Sequence, residues 1–425
     1  MAEYKRKKVN KLFKNKLKKH NVDENIVMSN KKSRKRGIVP ENNIKIVRGK
    51  KFIQKQKTKF IASFAAIVCI IIFILSISMP GGLYENAVNY AALIGTGSYP
   101  TNILGSSVID CVSNGSYYYV LTDTNIAAYS NNGKTVFNEL HGFANPILCV
   151  SSTRAMVYDQ GGKLIYFYNL SGKIESIEAV DEIITASISK NGDFAVSTQS
   201  NSNASTVKVY NNKFKEIYAW NSAIGIVNNV LVKNGGKRLA ITTLNVVSGE
   251  YNSKLIVLDI KKTDNADPLH TYELGKSLPL ALYNNGSGIS IVCNDSYKFI
   301  HWKNYKTNEI KLSGEINICR NTKDGLLLVF NLANNRNDNT IITVSKKGKI
   351  KSEFKTQDFI TDIQFNKGRI YLLSDTTVTI YNKNGKILRY SQTEYGIKKI
   401  AVTASNSVAA ISDEKIIKSN IDKGW

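Results

Sequence analysis

The sequence predicts an all-β fold: a β-propeller of eight blades, with seven as the alternative, preceded by one transmembrane α-helix and a disordered basic tail. Three observations support this. An apolar segment, Phe60 to Met79, divides the chain. From about Tyr99 to Ile421 the chain consists of short runs rich in Val, Ile, Tyr, Phe and Thr, separated by Asn-Gly, Asp-Gly and Gly-Lys turns. One such unit recurs about every 40 residues, the size of a propeller blade.

The segment Phe60 to Met79 contains no charge, proline or glycine. As an α-helix it would be roughly 30 Å long, which matches the hydrocarbon core of a bilayer. A cleaved signal peptide is the competing interpretation, but its apolar core usually has about 7 to 15 residues and is followed by a small-x-small site. This segment is longer and offers no convincing site. It is therefore predicted to be an uncleaved signal-anchor.

Charge predicts the orientation of that span. The whole chain carries +25, but residues 1–59 hold 21 Lys and Arg against 4 Asp and Glu, or +17, which leaves +8 for the rest. The positive-inside rule then places the N-terminus in the cytoplasm and the C-terminal domain outside. Because the basicity belongs mostly to the tail, nucleic-acid binding by the globular domain is disfavoured. The tail is expected to be mostly disordered. It either contacts anionic inner-leaflet lipids, makes weak contact with nucleic acid, or only fixes the topology.

Four regions follow from this division. They are a cytoplasmic tail (1–59), the span (60–79), a juxtamembrane linker with a helix over Tyr84 to Leu93 (80–98), and an extracytoplasmic propeller (99–425).

The internal repeat predicts the blades. Val120 to Lys134 reads VLTDTNIAAYSNNGK, and Leu372 to Lys386 reads LLSDTTVTIYNKNGK, at an offset of 252 residues. The first strands of the units are predicted to begin near Ile109, Ile147, Ile184, Asn228, Pro279, Ile316, Ile360 and Lys398. Two hydrophilic insertions, 246–254 and 261–270, are expected to be extended turns.

The last unit has only three strands before the chain ends, so it requires a fourth strand from elsewhere. The segment Tyr99 to Leu104, just ahead of the first unit, is the predicted source. Such closure between the chain ends would remove an exposed sheet edge.

The repeats lack the Gly-His and Trp-Asp pairs of WD40 proteins and are closer to quinoprotein-like propellers. Four segments carry a more specific resemblance: SYP at Ser98, LTDT at Leu121, HGFANP at His141 and RAMVYDQGG at Arg154. With the tail and span, they resemble a family of uncharacterised, single-pass membrane-anchored β-propeller proteins of low-GC Gram-positive bacteria, grouped as a domain of unknown function. The resemblance implies location and fold, and no known activity.

No catalytic, cofactor-binding or metal-binding residue is predicted. The four histidines, His20, His141, His270 and His301, are far apart and form no metal-binding pattern. A nucleophile elbow, a P-loop and a dinucleotide fingerprint are all missing, as are the adjacent cysteines of quinoprotein dehydrogenases. The cysteines outside the span are either small buried core residues or include one disulfide; they are Cys111, Cys149, Cys293 and Cys319.

The segment HGFANP is the most distinctive candidate site, because it connects the outer strand of one unit to the inner strand of the next. Such connections lie on one face of a propeller, where ligands and partners dock. The predicted binding loop comprises His141, Phe143, Asn145 and Pro146, and the weaker candidates are Tyr158, Asp159 and Gln160. The alternative is that the loop only shapes the crossing between blades.

The sequence therefore predicts a non-catalytic binding or scaffold module for a cell-envelope protein or a cell-wall glycan. One alternative is a transmembrane sensor that couples ligand capture outside to a cytoplasmic partner. The other is a cofactor-dependent propeller enzyme.

Overall fold

The computed structural model describes residues 59–73 and 82–421, apart from 234, 262–266, 323 and 333–334. The chain divides into two compact units, Met1–Phe73 and Ile74–Trp425. In the first unit a helix, α1, covers 59–73. The predicted tail and residues 74–79 of the predicted span lie outside the described residues. Among the helices that are described, none combines the length and apolar character needed to cross a membrane.

The second unit begins with a helix, α2 (Leu83–Leu93), and a two-residue strand, β1 (Thr101–Asn102), followed by blades of four antiparallel strands. Blade 1 comprises β2 (Val108–Ser113), β3 (Tyr117–Thr122), β4 (Asn125–Ser130) and β5 (Thr135–Leu140). Blade 2 comprises β6 (Pro146–Val150), β7 (Ala155–Asp159), β8 (Leu164–Asn169) and β9 (Gly172–Glu178). Blade 3 comprises β10 (Ile183–Ile188), β11 (Phe194–Thr198), β12 (Ser205–Tyr210) and β13 (Glu216–Ser222). Blade 4 comprises β14 (Ile226–Val232), β15 (Arg238–Val247), β16 (Glu250–Asp259) and β17 (His270–Gly275).

The remaining blades repeat this pattern. Blade 5 comprises β18 (Pro279–Asn284), β19 (Gly288–Cys293), β20 (Ser296–His301) and β21 (Thr307–Lys311). Blade 6 comprises β22 (Glu315–Thr322), β23 (Gly325–Leu332), β24 (Asn335–Val344) and β25 (Ile350–Thr356). Blade 7 comprises β26 (Asp362–Asn366), β27 (Arg369–Ser374), β28 (Thr377–Asn382) and β29 (Ile387–Gln392). Blade 8 comprises β30 (Lys399–Ala404), β31 (Ser407–Ile411), β32 (Lys415–Asn420) and the early strand β1.

Eight four-stranded sheets confirm the predicted propeller and its favoured blade number. Each first strand begins within two residues of the position that the repeat predicted. The predicted ring closure is also present, because β1 pairs with β32 through Thr101 opposite Ile416 and Asn102 opposite Lys415.

The core of the propeller lies in the gaps between neighbouring blades. Eight hydrophobic clusters fill these gaps, one between each pair of adjacent blades. The cluster that joins the last blade to the first includes Tyr118, Ala409 and Ile416, with Tyr99 packed against it. Closure therefore rests on side-chain packing as well as on the β1 pairing.

One prediction about the insertions is wrong. Residues 246–254 do not form an extended turn; β15 and β16 continue through them as a long hairpin. The turn is only Ser248 and Gly249, with φ of 53° and 82°, as expected for a two-residue hairpin loop that requires positive φ at both positions. In the second insertion, 262–266 lie outside the described residues.

The cysteines of the propeller are free thiols, and no disulfide is present among the described residues. Cys111 and Cys293 are buried, whereas Cys149 and Cys319 are partly buried. Burial raises the pKa of the Cys149 and Cys319 thiols to about 12, so both remain protonated and poorly reactive at neutral pH.

Antiparallel strands give the propeller two distinct faces. Turns between first and second strands, and between third and fourth strands, lie on one face, which we call the α2 face. Its described residues are 114–116, 131–134, 151–154, 170–171, 189–193, 211–215, 233, 235–237, 260–261, 267–269, 285–287, 302–306, 324, 345–349, 367–368, 383–386 and 405–406. The remaining turns and the links between blades form the opposite, connector face. Its described residues are 103–107, 123–124, 141–145, 160–163, 179–182, 199–204, 223–225, 248–249, 276–278, 294–295, 312–314, 357–361, 375–376, 393–398 and 412–414.

Helix α2 is docked on the α2 face by a buried amide. Asn89 is 6% exposed; its amide nitrogen donates to the Thr153 carbonyl at 3.0 Å, and its side-chain oxygen accepts from the Leu170 N–H at 2.9 Å. Ala92 and Leu93 pack against the cluster between blades 1 and 2. The predicted linker helix is therefore part of the folded propeller unit.

A partly buried ion pair adds to this docking. The Glu85 carboxylate accepts hydrogen bonds from the Arg154 guanidinium and from the Thr153 hydroxyl, the latter at 2.9 Å. Arg154 also donates to the Asn212 carbonyl of blade 3 at 2.6 Å. At the other end of α2, the Lys134 ammonium donates to the Ala92 carbonyl at 2.8 Å, where a cation also complements the helix dipole.

Deletion of 415–425 tests ring closure. The deletion removes β32, which leaves β1 without a partner and exposes the edge of β31. We therefore expect that the protein aggregates or no longer unfolds cooperatively. Removal of residues 2–12 from the tail, a deletion of similar length, should leave the unfolding transition unchanged. Calorimetry of the purified chain gives the comparison. An unaltered transition after the C-terminal deletion would contradict closure by β32.

Candidate binding face

The predicted loop 141–145 lies on the connector face between β5 and β6, as the repeat register indicated. His141 is only 4% exposed. Its Nε2 donates to the Thr122 carbonyl at 3.1 Å, and its Nδ1 accepts from the Phe143 N–H at 3.0 Å. This pair of bonds requires the neutral ring, and burial lowers the pKa of His141 below its ordinary value of 6.5. His141 therefore shapes the loop from inside.

The neighbouring side chains have similar structural contacts. Phe143 is buried in the cluster between blades 1 and 2, with its ring 4.7 Å from that of Tyr166. Pro146 is buried as the first residue of β6. Asn145 is exposed, while its backbone N–H donates to Asp159 Oδ1 at 2.8 Å. Of the four predicted loop residues, only Asn145 presents its side chain to solvent.

The weaker candidates lie beside this loop, Tyr158 and Asp159 at the end of β7 and Gln160 in the turn that follows. Tyr158 is buried, and Asp159 is half-buried and bonded to the loop backbone. Gln160 is exposed, and its amide donates to the Ile184 carbonyl at 2.9 Å. The structure therefore brings the seven predicted residues together, but mostly as a support for the crossing between blades. Binding by this loop stays a prediction.

The carboxylate of Asp159 is one of three on this face that accept a hydrogen bond from the backbone of a connector in the described part of the chain. Asp123 accepts from the Ser106 and Ser107 N–H groups at 2.9 and 3.2 Å, at the entry to blade 1. Asp413 accepts from the Val108 N–H at 2.8 Å. Hydrogen bonds from the Ser106 hydroxyl and backbone lower the pKa of Asp123 to about 2. These three carboxylates hold the connectors in place.

Exposed apolar side chains are spread around the connector face. They include Leu104, Ile109, Leu140, Val180, Ile224, Ile226, Leu280, Phe359 and Tyr395, between 39% and 86% exposed. The long hairpin of blade 4 adds Val246, Val247 and Tyr251 at the same face. Single exposed apolar residues are ordinary on a protein surface, and this face carries at least twelve of them.

The two faces also differ in charge. Within the described residues, the segments of the connector face hold nine carboxylates against three lysines. The carboxylates are Asp123, Asp181, Glu182, Asp295, Asp358, Asp375, Glu394, Asp413 and Glu414, and the lysines are Lys163, Lys276 and Lys398. The described segments of the α2 face hold sixteen basic residues against three acidic ones. The net charge of +8 after residue 59 is therefore unevenly distributed, so that the propeller has one acidic face and one basic face.

A cleft opens on the connector face between blades 6 and 7. Its volume is about 400 Å³, and its walls include Asn317, Asn331 and the exposed ring of Phe359. Amide groups beside an aromatic ring suit a peptide or a sugar ring.

Three charged side chains form an ion triad at the centre of the ring. Arg320 in blade 6 contacts Asp362 of blade 7 at 3.1 Å and Asp110 of blade 1 at 3.2 Å. Blades 6 and 1 are not neighbours, so this contact crosses the central channel. Burial opposes the charge on Arg320, but the two carboxylates hold the pKa of its guanidinium above the ordinary value. The described residues contain no cluster of three His, Cys, Asp or Glu side chains suited to a metal ion.

Sequence reasoning missed the separation of charge between the two faces. The signal is present in the turns: Gly-Lys turns recur between third and fourth strands, whereas Asp follows the second strand. Assigning each turn to a face would have found it.

These features define a β-propeller domain with one helix-covered basic face and one acidic face that carries exposed apolar residues. The chain belongs to the family of unknown function DUF5711, whose model matches residues 100–421. No curated protein matches the sequence.

Solved structures with a similar fold include WD40 and other propellers. The C-terminal WD40 domain of Sif2 gives a TM-score of 0.53 at 11% identity, covering 76% of this chain and 99% of that one. The Dos1 propeller gives 0.53 at 11% identity, covering 77% and 96%. Chaetomium thermophilum Sqt1, bound to the N-terminus of the ribosomal protein L10, gives 0.51 at 10% identity, covering 77% and 100%. At such identities the likeness concerns the fold alone.

Substitution of His141 tests its structural role. His141→Ala removes two buried hydrogen bonds and should lower the free energy of unfolding by about 1 to 3 kcal/mol, whereas Asn145→Ala, as the control, should change it by no more than about 0.5 kcal/mol. Denaturant unfolding gives both values. Equal stability of the two variants would show that His141 does not support the loop.

Acidic pH should expose the same role. The folded pKa of His141 lies below its unfolded value, so the stability from the neutral ring is present above about pH 6.5 and is lost as the pH falls. Between pH 7.5 and 5.5 the wild-type protein should therefore lose more stability than His141→Gln. A parallel decline of both proteins would contradict this assignment.

Proposed function

We propose that this protein is a membrane-anchored, extracytoplasmic propeller that binds a protein of the cell envelope on its connector face. The observation that carries the proposal is the array of exposed apolar side chains on the connector face, set among carboxylates. Burial of these side chains against a partner would remove apolar surface from water, and the carboxylates would select a partner with basic residues.

The composition of the face favours a protein over a glycan. Most of the exposed apolar residues are aliphatic, such as Leu104, Val180 and Ile224, and aliphatic side chains pack against protein side chains. A sugar would instead stack on aromatic rings, and the cleft beside Phe359 is the place where it would fit. Sqt1, which shares the fold, is bound to an N-terminal protein segment, which illustrates this kind of recognition.

Three features support the anchorage. The segment Phe60 to Met79 has the length and composition of a span, and the tail before it carries +17. The described helix α1 exposes apolar side chains along its length, among them Phe60, Phe64 and Phe73. A helix that is apolar on all sides is suited to lipid.

A transmembrane sensor is the second candidate. It is favoured by the docking of α2, because the helix that follows the proposed span is bonded to blade 1 through Lys134 and to blade 2 through Asn89. Arg154, which pairs with Glu85 of α2, extends this connection to blade 3. A partner that shifted these blades would also move α2. A sensor would require a defined cytoplasmic partner for the tail.

Loss of partner capture tests the binding face. The variant Phe359→Ser/Tyr395→Ser removes two exposed aromatic rings from the connector face, and should retain its melting temperature but capture its partner at least about tenfold less well from solubilised membranes. The matched control, Ile387→Ser/Tyr390→Ser, removes two exposed residues from the outer strand β29 and should capture normally.

Quantitative mass spectrometry of proteins captured by the full chain gives the comparison. Undiminished capture by the connector-face variant, or an equal loss in the control, would contradict the proposed face.

A further inference from the structure

We propose that the α2 face is a second binding surface, which binds the anionic phospholipid headgroups of the outer leaflet while the exposed side of α2 lies among them. This inference rests on the proposed anchorage and adds a lipid-binding role for the propeller itself. It differs from the expected lipid contact of the tail, which concerns the inner leaflet.

The exposed side of α2 is apolar and aromatic. Leu83, Tyr84 and Tyr90 are 64%, 65% and 72% exposed, and Ile94, just after the helix, is 64% exposed. Residues 83, 87, 90 and 94 follow the spacing of one helix face. The opposite side of the helix, with Asn89 and Leu93, is docked on the propeller. Helix α2 is thus covered on one side and open on the other.

The open side has the character of an interfacial helix. Tyrosine rings are favoured where lipid headgroups meet the hydrocarbon, because the ring is apolar and the hydroxyl is polar. The surrounding turns are polar and basic, so this apolar stripe is isolated on its face. An apolar stripe flanked by lysines is typical of helices that lie in the plane of a membrane surface.

The lysines of the α2 face suit phosphate groups. Lys213 and Lys215 in blade 3, and Lys346, Lys347 and Lys349 in blade 6, are exposed in turns of the α2 face. None of these five forms an ion pair with a carboxylate of the described residues. Each basic residue near an anionic surface strengthens binding by about fivefold.

The short stretch of chain between the proposed span and α2 favours a membrane as the ligand of this face. Only residues 80–82 separate Met79, the end of the proposed span, from Leu83 at the start of α2. Four Cα to Cα steps cover at most about 15 Å. The α2 face is therefore tethered close to a bilayer surface, whereas a soluble partner has no such connection to it.

Position-specific quenching tests the inference in the full chain. In a Cys69→Ala background, Ala87→Cys on the open side of α2 and Tyr395→Cys on the connector face are each labelled with a fluorophore. Ala87 is exposed, and the cysteines of the propeller are buried or partly buried. The labelled chains are reconstituted into vesicles of phosphatidylcholine and phosphatidylglycerol at 3:1, with a nitroxide lipid as the quencher.

We expect at least about fivefold more quenching at position 87 than at 395, and a decrease in pure phosphatidylcholine or in 1 M salt. Lys346→Glu/Lys347→Glu should reduce the quenching at position 87, whereas the control Lys163→Glu/Lys276→Glu, on the connector face, should not. Equal quenching at the two positions would overturn the inference. It would also be overturned if the quenching at position 87 did not change with lipid charge or with the Lys346→Glu/Lys347→Glu substitutions.

Flotation of the same vesicles separates this inference from the anchorage. Protein that floats with vesicles but is unquenched at position 87 overturns only the lipid-binding face. Protein that does not float contradicts the anchorage and the inference together. If the label at position 87 is shielded from solvent in native membranes but not in these vesicles, a protein occupies this face and the lipid proposal is wrong.

Discussion

The pairing of β1 with β32 is the constraint on which the architecture depends. It joins the two ends of the propeller and completes blade 8, so that the eight core clusters form a closed series. A closed ring of antiparallel blades must place alternate turns on opposite faces. That alternation allows one sequence repeat to supply two surfaces of different chemistry. The Arg320 triad adds a contact across the channel between blades 6 and 1, and so stabilises the ring at its centre.

Helix α2 distinguishes the two faces of the propeller, because it covers only one of them. Its docked side contributes Asn89 and the Glu85 carboxylate to blade 2, which makes the segment after the proposed span an integral part of the propeller. The face that it occupies is basic, and the face that it leaves open is acidic and carries exposed apolar residues. With the anchorage proposed above, the basic face would be held at the membrane and the acidic face would be open to partners.

The fold could be predicted from the sequence because hairpin turns and strand periodicity are local signals. The blade starts, the closing strand and α2 all follow from them. The candidate loop could not be resolved in the same way, because burial of His141 depends on the carbonyl of Thr122, which lies on another strand end. The extended β15 and β16 hairpin was misjudged because exposed strands lack the apolar alternation of buried ones. The importance of turn residues such as Asp123 and Lys347 became apparent only when each turn was assigned to a face of the propeller.

Cysteine labelling of the full chain in intact protoplasts tests this account most directly. In a Cys69→Ala background, Tyr390→Cys on the outer strand β29, away from both faces, should react with a membrane-impermeant maleimide at the same rate in protoplasts and in detergent. Lys347→Cys on the α2 face should react several-fold more slowly in protoplasts and recover its rate in detergent. Equal reaction of both positions in protoplasts, or protection of position 390 instead, would contradict the account.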